Sequence, residues 1–132
     1  MAASPVLVDS CYYIEQLRCG RDPLRALAFT AAARDLAVCG VIRCEVARGL
    51  RNPVILHRFQ AFWDSMIQIP TDATLWKNVE ETVWQLDRKG IMLPLTDVII
   101  GCCARRIGAA VLTLDAHFTR FPGIEVMERS LA

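Results

Sequence analysis

Residues 5–9 read Pro-Val-Leu-Val-Asp and residues 109–115 read Ala-Ala-Val-Leu-Thr-Leu-Asp, two apolar runs that each end on an aspartate. Strands that are apolar at successive positions, rather than at alternate ones, are buried on both faces, as in a parallel sheet under helices. Leu36-Ala-Val-Cys39 and Met66-Ile-Gln-Ile69 lie between these runs, and Ile124-Glu-Val-Met127 follows them. The segments in between are long enough for crossovers and carry helical signals. Residues 10–18 predict a short helix closed by Cys19-Gly20. Asp22-Pro23 opens a second, which runs through an alanine-rich stretch to about Arg34. Residues 41–50 predict a third with Glu45 in its middle, and Asn52-Pro53 starts a fourth that reaches about Ser65. Leu75, Val79, Val83 and Leu86 form the stripe of a long helix over residues 71–89, stopped by Gly90. Pro94 starts a last helix with Asp97 in its first turn and Val98, Ile99 and Cys102 inward. Strands alternating with helices predict an α/β fold, a three-layer α/β/α sandwich around a mostly parallel five-stranded sheet.

The chain has 132 residues, 54% of them hydrophobic, and its mean hydropathy is +0.31. This fits a single domain over residues 1–132 and excludes a disordered tail or linker. The richest apolar stretch, residues 91–104, is interrupted by Pro94 and Asp97 and is too short to span a membrane. Met1-Ala-Ala-Ser-Pro5 has no basic region before an apolar core, so no signal peptide is expected and the location expected is cytoplasmic. The six cysteines point the same way. Cys102 and Cys103 are adjacent, no C-x-x-C occurs, and Cys39, Cys44, Cys102 and Cys103 lie in apolar segments, which suits reduced thiols acting as small hydrophobes. His57 and His117 have no cysteine at ligand spacing, which argues against structural zinc.

The net charge is only +1, although 13 of the 15 basic residues are arginine. Arginine grips phosphate with a two-pronged fork that lysine lacks, but a G+C-rich genome produces the same bias. Charge alone therefore identifies no partner.

The acidic residues say more. Asp9 and Asp115 each follow an apolar strand and should project at the carboxyl edge of the sheet, where sites gather in doubly wound folds. Asp97 sits on the helix that feeds the strand before Asp115, and Glu45 on the helix after the second strand. Each has an ordinary explanation. Asp9 with Ser10 fits a helix cap, Asp97 favours a helix dipole, and Asp115 suits a surface turn. Glu45 is harder to set aside, because Val41-Ile-Arg-Cys-Glu-Val-Ala47 is strongly apolar and a charge there needs a partner, a proton or a metal. Four carboxylates meeting at one edge raise one another's pKa, a conflict that Mg²⁺ or Mn²⁺ relieves. Such ions activate water toward phosphodiesters.

Four blocks carry a specific resemblance: Val6-Leu-Val-Asp-Ser10, Val41-Ile-Arg-Cys-Glu-Val-Ala-Arg-Gly-Leu50, Leu93-Pro-Leu-Thr-Asp-Val-Ile-Ile-Gly-Cys-Cys-Ala104 and Val111-Leu-Thr-Leu-Asp-Ala-His-Phe118. In order and spacing they resemble the motifs of the PIN-domain ribonucleases, especially toxins of the VapC type. The resemblance implies that Asp9, Glu45, Asp97 and Asp115 ligate Mg²⁺ or Mn²⁺, with Ser10 and Thr113 supporting them by hydrogen bonds. It implies endonucleolytic cleavage of RNA to 5′-phosphate and 3′-hydroxyl ends, an antitoxin partner and a homodimer. Residues 51–84 match no motif and leave substrate choice and dimer contacts open.

Other residues are read more plainly. His117 suits a surface or phosphate-contacting role better than a catalytic one, with Phe118 packing its turn, and His57 is expected to be solvated. Trp63, Trp76 and Trp84 are expected to pack in the core or a dimer contact rather than stack on bases. Arg18, Arg48, Arg51 and Arg106 lie nearest the motif segments and are candidates for phosphate. Two other classes of function compete. A phosphate-signalling receiver domain needs a lysine after a late strand, and no lysine follows Lys89. A non-catalytic PIN-like module that binds RNA or protein has no support from lost acids, since all four are present.

Overall fold

The computed structural model describes residues 3–128. β1 (Val6–Val8) leads into α1 (Ser10–Arg18), then α2 (Pro23–Ala26), α3 (Ala28–Ala33) and β2 (Leu36–Cys39). α4 (Gly40–Ala47), α5 (Pro53–Asp64) and β3 (Ile67–Ile69) follow, then α6 (Ala73–Arg88), α7 (Leu95–Ile107) and β4 (Ala110–Leu112). A 3₁₀ turn (Ala116–Arg120) and β5 (Val126–Met127) complete the order. The five strands form one sheet in the order β3-β2-β1-β4-β5, parallel at every pairing. The chain steps outward from β1 to β3, then returns to the other side of β1. Crossovers between parallel strands are right-handed as a rule, which puts helices on both faces of a sheet whose order reverses, here between β1 and β4.

The strands flanking that reversal are the most buried. Val6, Leu7, Val8, Val111 and Leu112 have no exposed surface, each worth about 1.5–3 kcal/mol of burial. Pairing of Val8 with Leu112 brings the next residues, Asp9 and Thr113, side by side at the carboxyl edge. Edge strand β3 is covered only at Ile69, and Gln68 there ties its side-chain amide to the carbonyls of Trp63 and Met66.

Helix boundaries follow local chemistry. Asp22 and Asn52 each accept the N–H two residues on, with proline at the first helical position, and Asp72 caps α6 through Leu75 N–H. Gly108 ends α7 at φ +66°, the left-handed conformation that glycine enters without penalty. The helix expected from Asp22 to Arg34 is instead two, broken at Leu27. Of that stretch only Pro23, Leu27 and Thr30 are buried, so a break at Leu27 sacrifices little packing. Tyr13, Phe59 and Trp63 pack edge-on or tilted with centroids 5.6–6.3 Å apart, joining α1 to α5. Trp63 thus belongs to the core as expected, but Trp76 and Trp84 stand on the outer side of α6, 46% and 59% exposed. Their long helix spends its buried face on Leu75, Val79, Thr82 and Leu86 instead. Cys39, Cys102 and Cys103 are buried thiols, whereas Cys44 is exposed because α4 turns Ile42 and Val46 inward.

One glycine fixes the segment after β4 against α7. A Cβ on Gly101 would lie 2.6 Å from the Phe121 ring, which is buried there under the Arg105 guanidinium. Alanine is favoured over glycine in a helix by about 1 kcal/mol, but overpacking a core costs about 1–3 kcal/mol. Gly101→Ala is therefore expected to lower stability in urea denaturation, and Phe121→Leu in that background to recover part of the loss. A more stable single variant would contradict the contact.

Candidate active site

Asp9 is the residue at which β1 becomes α1. Its N–H donates to the Leu112 carbonyl at 2.9 Å, so the backbone completes the sheet while the side chain turns to cap the helix. The carboxylate is only 3% exposed. Ser10 N–H donates to its Oδ1 at 2.8 Å, and the Thr113 hydroxyl to its Oδ2 at 2.8 Å. The Cys11 thiol donates to the same Oδ2 at 2.9 Å. A buried carboxylate needs such donors to remain in the fold.

Two hydroxyls link Asp9 to the other acids. The Ser10 hydroxyl donates to Glu45 Oε1 at 3.1 Å, reaching across to the middle of α4. The Thr113 oxygen accepts Asp115 N–H at 2.9 Å, fixing the backbone that carries the next carboxylate. Asp115 accepts His117 N–H at 2.9 Å and starts the 3₁₀ turn. That turn lays the His117 imidazole between two acids, its Nδ1 2.9 Å from Asp97 Oδ2 and 3.1 Å from Asp115 Oδ1. Asp97 lies in the first turn of α7. The structure thus brings Asp9, Glu45, Asp97 and Asp115 to one sheet edge, with Ser10 and Thr113 between them.

The electrostatics record the crowding. Glu45 is pushed up from the usual carboxylate range, first by burial and then by Asp9, against the pull of the Ser10 hydroxyl and Arg48. Burial is also the main reason that Asp97 is raised. The hydrogen bond from His117 opposes it, and Asp115 and Asp9 add to it. Burial and the neighbouring Asp9 push the Cys11 thiol up to about 12, so it stays protonated and donates. Asp97, Asp115 and His117 each offer a ligand atom within 4.8 Å of the others. Carboxylate oxygens predominate around the edge, a donor set suited to a hard divalent cation.

Two members were not foreseen in their observed roles. His117 belongs to the acidic cluster, not to a separate surface; the Asp-x-His spacing is its only sequence signal. Cys11, two residues after Asp9, had no signal beyond its place in the first turn of α1. Among the candidate arginines, Arg48 acts on Glu45, whereas Arg18 pairs with Glu15 at 3.6 Å. Arg106 lies in the last turn of α7, at the end away from Asp97, and grips Asp72 with two bonds of 2.7 and 2.8 Å. It is therefore not available to this edge.

The raised carboxyls have a signed consequence. A carboxyl whose folded pKa exceeds its unfolded value contributes stability that is full below the unfolded pKa, about 4, and lost as pH rises through the folded one. Glu45→Gln and Asp97→Asn should therefore raise the melting temperature of the metal-free protein at neutral pH, with the gain fading toward pH 4. A loss of stability at neutral pH in both variants would contradict the crowding.

A family model described as the PIN domain matches residues 6–124. No curated protein matches the chain significantly in sequence. Among solved structures, VapBC2 from Rickettsia felis bound to a promoter DNA fragment is similar with TM-score 0.75 and 16% identity, over 93% of this chain and 97% of that one. DNA-bound VapBC from Salmonella typhimurium gives 0.71 and 18%, over 95% and 98%. A toxin–antitoxin complex from Klebsiella pneumoniae gives 0.64 and 23%, over 96% and 99%. With the family model covering nearly its whole length and the fold agreeing, this chain belongs to the PIN domain family.

Proposed function

We propose that the chain is a divalent-cation-dependent endoribonuclease, the toxin member of a toxin–antitoxin pair. The observation that carries this reading is the meeting of Asp9, Glu45, Asp97 and Asp115, drawn from four elements, at the point where the strand order reverses. Nothing in a fold requires four acids to share one edge, and Glu45 and Asp97 are raised there by burial first and by neighbouring acids after it. Mg²⁺ or Mn²⁺ fits that edge, with Asp9, Glu45, Asp97 and Asp115 as the residues that would hold it. A bound ion of this kind acidifies a water molecule and neutralises charge on a phosphoryl group.

The chain's own residues set the rest. Thr113, Ser10 and Cys11 fix both oxygens of Asp9, so its position does not depend on the substrate. Thr113 holds the backbone of Asp115, and Ser10 orients Glu45. Glu45 is half-buried, and burial with the neighbouring Asp9 raises its carboxyl, a state that a bound cation would relieve. Water adds at phosphorus and gives up a proton to solvent, the bond to the 3′-oxygen breaks and that oxygen takes up a proton, and the products are a 5′-phosphate and a 3′-hydroxyl. RNA as the substrate rests on the family resemblance of the four motif blocks.

The antitoxin partner is supported by similar solved structures described as toxin–antitoxin systems or complexes. The exposed Trp76 and Trp84 on α6 favour a homodimer contact there. No helix among the described residues is long and apolar enough to cross a membrane, in keeping with a role in the cytoplasm. Purified protein should cleave end-labelled RNA in Mg²⁺ or Mn²⁺ and stop in chelator. Asp9→Asn or Asp115→Asn should lower the rate by at least about a hundredfold. Undiminished cleavage by both variants, or cleavage of DNA alone, would overturn the reading.

A further inference from the structure

We infer that His117 supplies a nitrogen ligand to a divalent cation held at the Asp97–Asp115 side of the site, an assignment that rests on the metal-dependent reading above. The imidazole does not lie loosely on the surface. Its Nδ1 is 2.9 Å from Asp97 Oδ2 and 3.1 Å from Asp115 Oδ1, nearly midway between oxygens from two different elements. The ligand atoms of the three side chains lie within 4.8 Å of one another. Donors on opposite sides of an ion at about 2.1 Å are about 4.2 Å apart, so small side-chain shifts let these three share one ion.

The backbone around His117 is built to hold that place. His117 N–H bonds to the Asp115 carboxylate, and Phe118 beside it is buried. Phe121 at the end of the turn sits against Gly101 of α7, the helix that carries Asp97. Ligand-bearing turn and ligand-bearing helix are thus clamped together. The His117 side chain is 46% exposed, so the outer side of the cluster stays open to water and substrate. As a hydrogen-bond donor, Nδ1 carries its proton toward the carboxylates. As a ligand it offers its lone pair, and the proton resides on Nε2.

A nitrogen donor changes which ion the site prefers. Carboxylates suit Mg²⁺ and Mn²⁺ alike, whereas an imidazole nitrogen suits transition ions, and of these two Mn²⁺ accepts one more readily than Mg²⁺. His117 therefore tilts the site toward Mn²⁺ and makes metal choice, rather than cleavage chemistry, its contribution.

Pulsed electron paramagnetic resonance on the Mn²⁺-loaded protein tests this without reference to activity. The wild type should show nitrogen modulation from a coordinated imidazole, and His117→Gln and His117→Ala should lose it. Calorimetry should show Mn²⁺ affinity weakened about tenfold or more in both variants, with Mg²⁺ affinity much less affected. Mn²⁺ binding without nitrogen modulation, or modulation that survives in the variants, overturns the His117 assignment and leaves the metal-dependent reading standing. Failure of the wild type to bind Mn²⁺ at all overturns both.

Discussion

A carboxylate buried at the end of a central strand, satisfied by hydrogen bonds but paired with no basic side chain among the described residues, is the constraint on which the rest of this molecule turns. Asp9 receives donors from Ser10, Cys11 and Thr113, and among the described residues no basic side chain pairs with it. Hydrogen bonds keep such a group in place but do not remove its charge, which then acts on every acid nearby. Glu45 and Asp97 both register that charge, in addition to the larger effect of their own burial. The cluster is therefore one electrostatic unit, even though its members come from separate elements.

The fold explains how so much like charge is tolerated. Parallel strands buried on both faces supply a rigid edge, and the in-register pairing of β1 with β4 sets Asp9 beside Thr113 without any side-chain adjustment. One threonine hydroxyl then serves two masters, donating to Asp9 and accepting from the Asp115 backbone. On the other side, contact between Gly101 and Phe121 seats the 3₁₀ turn on α7, which brings His117 and Asp115 to Asp97.

Much of this was legible in the residues themselves. Continuous apolar runs ending in aspartate located Asp9 and Asp115, because parallel strands leave no other edge for them. An acid in the apolar stretch around Glu45 identified itself by having no local partner. The rest depended on geometry that spacing does not encode. His117 and Asp97 are 20 residues apart, and their contact exists only because the 3₁₀ turn is tight. Arg106 looked available until Asp72, 34 residues away, was found to hold it. Trp76 and Trp84 carry apolar side chains, but α6 had enough smaller residues to fill its buried face. The break at Leu27 carries no sequence signal, because alanines favour a helix whether or not packing sustains one.

The central claim is that the buried edge formed by these acids is a cation site. Crystals soaked in Mn²⁺ and measured near the manganese absorption edge address it most directly. The account predicts an anomalous peak among the carboxylates of Asp9, Glu45, Asp97 and Asp115. An ordered edge with no peak, or manganese bound only elsewhere on the chain, would contradict it.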